Sequence, residues 1–351
     1  GWFSFRMIGF VDSILVGVFR PLGANGGKRR WENRRCARMA VAPSTDAEFV
    51  EAFGKMVRGE WIGHEVSFDG TTGELEPLAD GYIPEEFLNW GVMPTAFESN
   101  HSHILRGDTL YRKHTRIIPT VDHFSDHTDV EEDTFIHDIN SAGFTLFDCG
   151  SYAFAPEKVI ERKSLLDKVP RIEVCLRDSV SDPGFRVVGV MRFDFSTGKF
   201  FKSQQLFHER YETDWSNGQF IEVGTGYRSE WGKTETTKEA HVSGLWRGEN
   251  GSERETNLDA DITQALLLPG GLFLLSDKTA DGEMELELGW LIDETTRYAK
   301  HPSFFRTVVL VQEAFPPYPA LFYDSCRITM ATKYSAEGDL LGSTRNVERR
   351  V

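Results

Sequence analysis

From Glu60 onward the chain alternates with a period of two. Ile62, His64, Val66 and Phe68 fall on one side of an extended backbone, and Trp61, Gly63, Glu65 and Ser67 on the other. Alternation of this kind marks a β-strand, whose successive side chains point to opposite faces. Asp69-Gly70-Thr71-Thr72-Gly73 follows with turn residues, so the segment predicts a strand and a hairpin turn. The same reading gives strands over 171–177, 185–195, 200–209, 283–290, 307–312, 328–334 and 340–349, with Ser196-Thr197-Gly198-Lys199 and Ala336-Glu337-Gly338-Asp339 as turns. Short alternating strands joined by turns predict antiparallel sandwiches or barrels.

Two short helices interrupt the pattern. Thr45-Asp46-Ala47-Glu48 has the form of a capping box, after which Phe49, Phe53, Met56 and Val57 share one helical face until Gly59 stops it. Pro84 to Gly91 reads as a single helical turn, with proline at its start, acids in its first turn and glycine at its end.

An internal echo divides the chain: Trp61-Ile62-Gly63 recurs as Trp246-Arg247-Gly248. In a small barrel a tryptophan on the opening strand packs across one end, and a glycine two residues on lets the strand bend or another backbone approach. The polar stretch 231–239 between the two halves reads as a linker, and 351 residues are enough for two well-buried cores. The expected division is therefore an N-terminal barrel over 44–236 and a smaller C-terminal one over 237–351.

Charge sets residues 1–40 apart. They hold eight basic side chains, among them Lys28, Arg29, Arg30, Arg34, Arg35 and Arg38, against Asp12 and Glu32, while the whole chain carries −15. An Arg-rich, acid-poor segment ending in small residues is expected of an organelle transit peptide, here 1–43. The apolar run from Met7 to Phe19 is too short for a bilayer span. The acidic remainder repels phosphate backbones and anionic headgroups, so neither nucleic acid nor stable membrane insertion is expected. Cys36, Cys149, Cys175 and Cys326 show no CxxC spacing, which argues for a reducing compartment.

Catalytic patterns are missing: neither a GxSxG elbow nor a P-loop occurs, and no enzymatic activity or cofactor is expected. Six of the ten histidines (His101, His103, His114, His123, His127, His137) cluster among acids. Asp122, His123, Asp126 and His127 are the candidate metal ligands, imidazole and carboxylate together suiting a divalent ion. Without a fixed ligand spacing, the segment reads instead as a long solvated loop between strands. Glu285 and Glu287 share one face of a strand opposite its apolar set and read as solvent-facing. A barrel of this size can hold a small apolar ligand in an aromatic-lined cup, although a filled core demands the same Phe-rich strands.

Three stretches carry a family resemblance: 48–65; Gly73 to Leu78 with Tyr82 to Phe87 and Trp90; and Leu266-Leu267-Leu268-Pro269-Gly270-Gly271-Leu272-Phe273 with Leu286-Glu287-Leu288-Gly289-Trp290-Leu291. Through them the chain resembles the chloroplast ATP synthase biogenesis factor family, whose C-terminal domain also occurs in cyanobacterial proteins of unknown function. The match over 95–245 is loose, and 295–319 is a longer connection than the pattern needs. The resemblance implies two lipocalin-like (calycin-type) β-barrels in tandem, and a stromal assembly factor that binds subunits of the ATP synthase catalytic head. It makes Trp61, Gly63, Glu65, Trp90, Trp246, Gly248, Gly289 and Trp290 signature residues with structural roles. The alternative is a lipocalin-like carrier or lyase for a plastid tetrapyrrole or carotenoid.

Overall fold

The computed structural model describes residues 47–119, 129–159, 169–179, 184–219, 235–258, 262–292 and 326–351. The expected transit peptide (1–43), the candidate ligands Asp122, His123, Asp126 and His127, residues 231–234 of the expected linker and the strand over 307–312 lie outside the described residues.

The chain is mostly β, built as two curled antiparallel half-barrel sheets with a few short helices, an arrangement that fits tandem lipocalin-like barrels. Helix α1 (Ala47–Val57) leads into β1 (Gly59–Asp69), β2 (Leu75–Glu76) and helix α2 (Glu85–Asn89). There follow β3 (Ala96–Arg106), β4 (Thr109–Ile117), β5 (Val130–Asp138), β6 (Phe144–Leu146), β7 (Tyr152–Phe154), β8 (Arg171–Arg177), β9 (Phe185–Asp194), β10 (Lys199–Phe200) and β11 (Ser203–Thr213). They form one sheet in the order β5-β4-β3-β1-β11-β9-β8-β7-β6, with β2 paired to β1 and β10 to β9. Helix α3 (Glu239–Val242) opens the second sheet: β12 (Gly244–Gly248), β13 (Glu253–Thr256), β14 (Gln264–Leu267), β15 (Leu272–Lys278), β16 (Met284–Ile292), β17 (Cys326–Tyr334) and β18 (Leu340–Arg350). Its order is β13-β12-β18-β17-β16-β15-β14.

Each sheet curls until its flanks meet across an interior. In the first, His137 of β5 lies 4.6 Å from Phe154 of β7, ring to ring, and Arg112 of β4 pairs with Glu173 of β8. In the second, Arg254 of β13 reaches Glu287 of β16 at 2.6 Å. The opposite faces pack on each other. The largest apolar cluster takes Val66, Ile172, Val174, Val187, Met191 and Leu206 from the first sheet and Leu274, Leu286, Leu288, Trp290, Ile328 and Met330 from the second. Leu288 sits directly over Gly189, and the rings of His208 and Trp290 meet edge to face at 6.0 Å. Strand β9 is thus apolar on both sides: Val187 and Met191 turn to the other sheet, Val188 and Val190 to the interior beside Phe53, Val57 and Phe207. Each fully buried Val, Leu or Phe in this layer contributes about 1.5–3 kcal/mol relative to exposure.

The repeat is longer than its sequence echo. Val57-x-Gly59-x-Trp61-x-Gly63 aligns with Val242-x-Gly244-x-Trp246-x-Gly248. In both copies a helix ends at the valine, and the first glycine takes a positive φ (135° and 119°) that a side chain would strain. The indole N–H then donates to the valine carbonyl, at 3.2 Å for Trp61 and 2.9 Å for Trp246. The second glycine stands opposite a glutamate (Glu209, Glu348), itself opposite an arginine (Arg186, Arg327). The carboxylate binds the arginine Nε at 2.7 and 2.6 Å. The guanidinium lies over the indole ring, 4.1 Å from the Trp61 centroid and 4.3 Å from that of Trp246. A desolvated cation over tryptophan is worth about 2 kcal/mol.

The two copies differ at the second glycine. A Cβ on Gly63 would strike the backbone of His208 and Glu209, whereas one on Gly248 would meet the side chains of Asn250 and Ser252 at 3.0 and 3.1 Å and the Ser252 carbonyl only at an ordinary contact distance of 3.6 Å. Gly63→Ala should therefore lower unfolding free energy by about 2–4 kcal/mol and Gly248→Ala by under about 1 kcal/mol. Urea titration of both variants checks this, and equal losses would contradict it.

Candidate functional site

Strand β3 is buried from Ala96 to His103 and carries Ser99-Asn100-His101-Ser102-His103 there, an unusual composition for a core strand. Its period of two points Ser99, His101 and His103 into the first barrel, where the same period on β4 brings Arg112, His114 and Arg116. The reading of this region as a solvated loop is corrected for His101, His103, His114 and His137, which stand on β3, β4 and β5. Hydrophobic periodicity is silent when a strand faces a polar interior.

His101 and His114 are cross-strand partners with stacked rings 4.4 Å apart, and Phe207 presents its edge to both. His101 Nδ1 bonds Glu209 Oε1, so with Glu209 ionised that nitrogen donates. Arg186 Nη1 donates to His103 Nδ1 at 3.0 Å, which fixes the proton of His103 on Nε2. Burial pushes the Glu209 carboxyl up, but the charge and hydrogen bonds of Arg186 and His101 together outweigh it and hold the group at about 2. Burial pushes His101 and His114 below the ordinary imidazole value and His103 well below it, reinforced by nearby arginines. His137 falls to about 4, chiefly by burial and then by Arg112. Around neutrality these four rings are uncharged.

Two further struts cross the interior. Arg112 pairs with Glu173 and donates to Tyr152 Oη at 3.3 Å, while that hydroxyl donates to Glu173 Oε1 at 2.9 Å. Arg116 grips Glu65 with two hydrogen bonds, Nε to Oε2 at 2.8 Å and Nη2 to Oε1 at 2.7 Å. At the barrel end, buried Glu60 accepts from Asn100 Nδ2 at 3.2 Å, Ser102 Oγ at 2.8 Å and Ser216 Oγ at 3.0 Å, tying the segment after β11 to the sheet.

Burial pushes the Cys175 thiol up to about 11 and Cys326 to about 12, away from a nucleophilic thiolate. Among the described residues no three or more of His, Cys, Asp and Glu are arranged to hold a metal ion, and no helix is long and apolar enough to cross a membrane. What remains is hydrogen-bonding capacity: the Nε2 atoms of His101, His103 and His137 are buried without a partner.

The signature residues divide by role. Trp61, Trp246 and Trp290 are buried, Glu65 is held by Arg116, and Gly289 leaves room for the ring of its cross-strand partner Phe273. Trp90 departs from the structural role expected of it. Phe87 of α2 anchors the turn among Leu78, Ile83 and Phe97, while Leu88 of the helix and Trp90 and Met93 just after it remain 40%, 63% and 45% exposed. Exposed Glu85 and Glu86 flank them. Glu287 is a second correction: it is buried against Arg254, not solvent-facing, because β16 is covered on both faces.

No family model matches the chain, and no curated protein matches it. Among solved structures, it is similar to a protein of unknown function from the DUF3598 family of Nostoc punctiforme, with a TM-score of 0.49 and 15% identity over 86% of this chain and 98% of that one.

The neutral histidines make stability depend on pH. His101, His103 and His114 have folded-state values below the unfolded 6.5, so below pH 6.5 the unfolded chain binds more protons than the folded one and stability falls with pH. Each proton that only the unfolded chain binds contributes at most about 1.4 kcal/mol per pH unit. Glu209 adds a further loss between about 4.3 and its folded value, since its contribution is complete only above the unfolded pKa. Urea unfolding between pH 7.5 and 4.5 should show this decline, and His114→Gln should flatten it by about 1.4 kcal/mol per pH unit. A flat profile in the unsubstituted chain would contradict the assignment.

Proposed function

We propose that the protein is a binding scaffold with no reaction of its own, which holds subunits of the chloroplast ATP synthase catalytic head in the stroma while they associate. The observation that carries this reading is the exposed Leu88 of α2 with Trp90 and Met93 just after the helix, set beside Glu85 and Glu86. A solvent-facing tryptophan with apolar neighbours and a polar rim is the usual make-up of a protein-binding hot spot. Phe87 holds the turn rigidly beneath, so little ordering is needed on binding. The acidic flank favours a client surface that is basic at its rim.

The choice of client comes from the resemblance of 48–65, Gly73–Trp90 and 266–291 to the ATP synthase biogenesis factors. The interior of the first barrel supports a scaffold over a pigment carrier. Arg112–Glu173 crosses the space that an apolar tetrapyrrole or carotenoid would fill, and displacing that strut would strand a buried charge.

Affinity capture from isolated plastid stroma, with mass spectrometry and an absorption spectrum of the eluate, tests the proposal. The tagged protein should recover free head subunits without pigment. Trp90→Ala should lower that recovery at least tenfold with an unchanged melting temperature, because an exposed substitution typically costs under about 0.5 kcal/mol. Equal recovery by the variant, or an eluate of the unsubstituted protein without those subunits, would overturn the reading.

A further inference from the structure

The second barrel contains a cavity of about 180 Å³ between β13, β15 and β16. The strand period turns Arg254 and Thr256, Leu275 and Asp277, and Glu285 and Glu287 toward it in pairs two residues apart. With Glu255 at the rim, the lining sets four carboxylates against one guanidinium. Arg254 Nη1 binds Glu287 Oε2 at 2.6 Å, and Lys333, outside the lining, takes Glu285 at 2.6 Å. The other Glu287 oxygen, Oε1, is buried and accepts no hydrogen bond, on a side chain only 2% exposed.

A buried carboxylate oxygen without a donor is costly, and the cost is relieved by a donor that also carries positive charge. We infer that this cavity is a binding site for a small organic cation, a primary ammonium on a short apolar stem, whose head donates to Glu287 Oε1 while the stem lies on Leu275 and Ile262. The acidic lining disfavours an anion. A divalent metal needs several free oxygens in a fixed shell, and no such grouping occurs among the described residues. The size agrees: an apolar cavity of roughly 150 Å³ accepts a benzene-sized molecule, so this one takes about five or six heavy atoms. Burial pushes the Glu287 carboxyl upward, and a bound ammonium would counter that shift. The site lies in the other sheet from α2 and does not depend on the proposed client.

Isothermal titration of the full chain with n-butylammonium chloride, and with 1-butanol as the neutral molecule of the same size, tests the inference. One saturable site is expected for the ammonium, at least tenfold tighter than for the alcohol. Glu287→Gln should weaken ammonium binding at least tenfold, and Ile262→Trp, which enlarges a side chain lining the cavity and leaves the carboxylate in place, should abolish it. No saturable heat with butylammonium, or unchanged affinity in Glu287→Gln, would overturn the site. If Glu287→Gln loses cooperative melting, Ile262→Trp decides: lost binding supports the site and retained binding overturns it.

Discussion

Arg186 and Arg327 are among the largest fully buried side chains of the protein, and the architecture depends on how their charges are met. Each guanidinium is bound by the glutamate directly across the strand pair and lies on the indole of the strand beyond. That indole, by its N–H, holds the last carbonyl of the preceding helix. Three strands and a helix are thereby fixed around one charge, and the same device occurs once in each sheet. A buried ion pair contributes little over an apolar substitute, but losing one partner leaves an uncompensated charge. The device therefore specifies register more than it adds stability.

It also follows from a packing constraint. The two sheets bury one face each in a shared apolar layer, so the other face must curl inward on itself. In the first barrel the inward face is filled by the crossing Arg112–Glu173 pair, the adjacent-strand Arg186–Glu209 pair and uncharged histidines, with Phe and Tyr side chains beside them. In the second, apolar residues including Trp246, Phe273 and Leu275 fill part of the interior, and the cavity near Glu287 takes the rest. The turn at Leu88, Trp90 and Met93 leaves large apolar side chains exposed to solvent.

Alternation in the sequence carried much of this fold. The strands at 171–177, 185–195 and 328–334, the first helix and its stop at Gly59 stand close to where periodicity and turn residues place them. The repeated Trp-x-Gly was legible, but Val57 and Gly59, with Val242 and Gly244, were part of the same echo and showed no meaning until the helix ends and positive φ values were seen. The partners Arg186 and Glu209, or Arg327 and Glu348, could not be found by local spacing, because only strand register joins them. His101, His103 and His114 looked like loop residues, since alternation reports two faces without saying which is covered. Glu287 was misread for the same reason: its neighbours on β16 are apolar, yet both sides of that strand are buried.

The account rests on the claim that these buried pairs, and not apolar burial alone, hold each barrel in register. A double-mutant cycle on Arg186→Met and Glu209→Leu, followed by urea unfolding at pH 7.5, measures it directly. Each single substitution should cost about 3–5 kcal/mol, and the double substitution should cost less than the larger single. Small, additive losses would show that the pair carries no burden and that the barrel keeps its register without it.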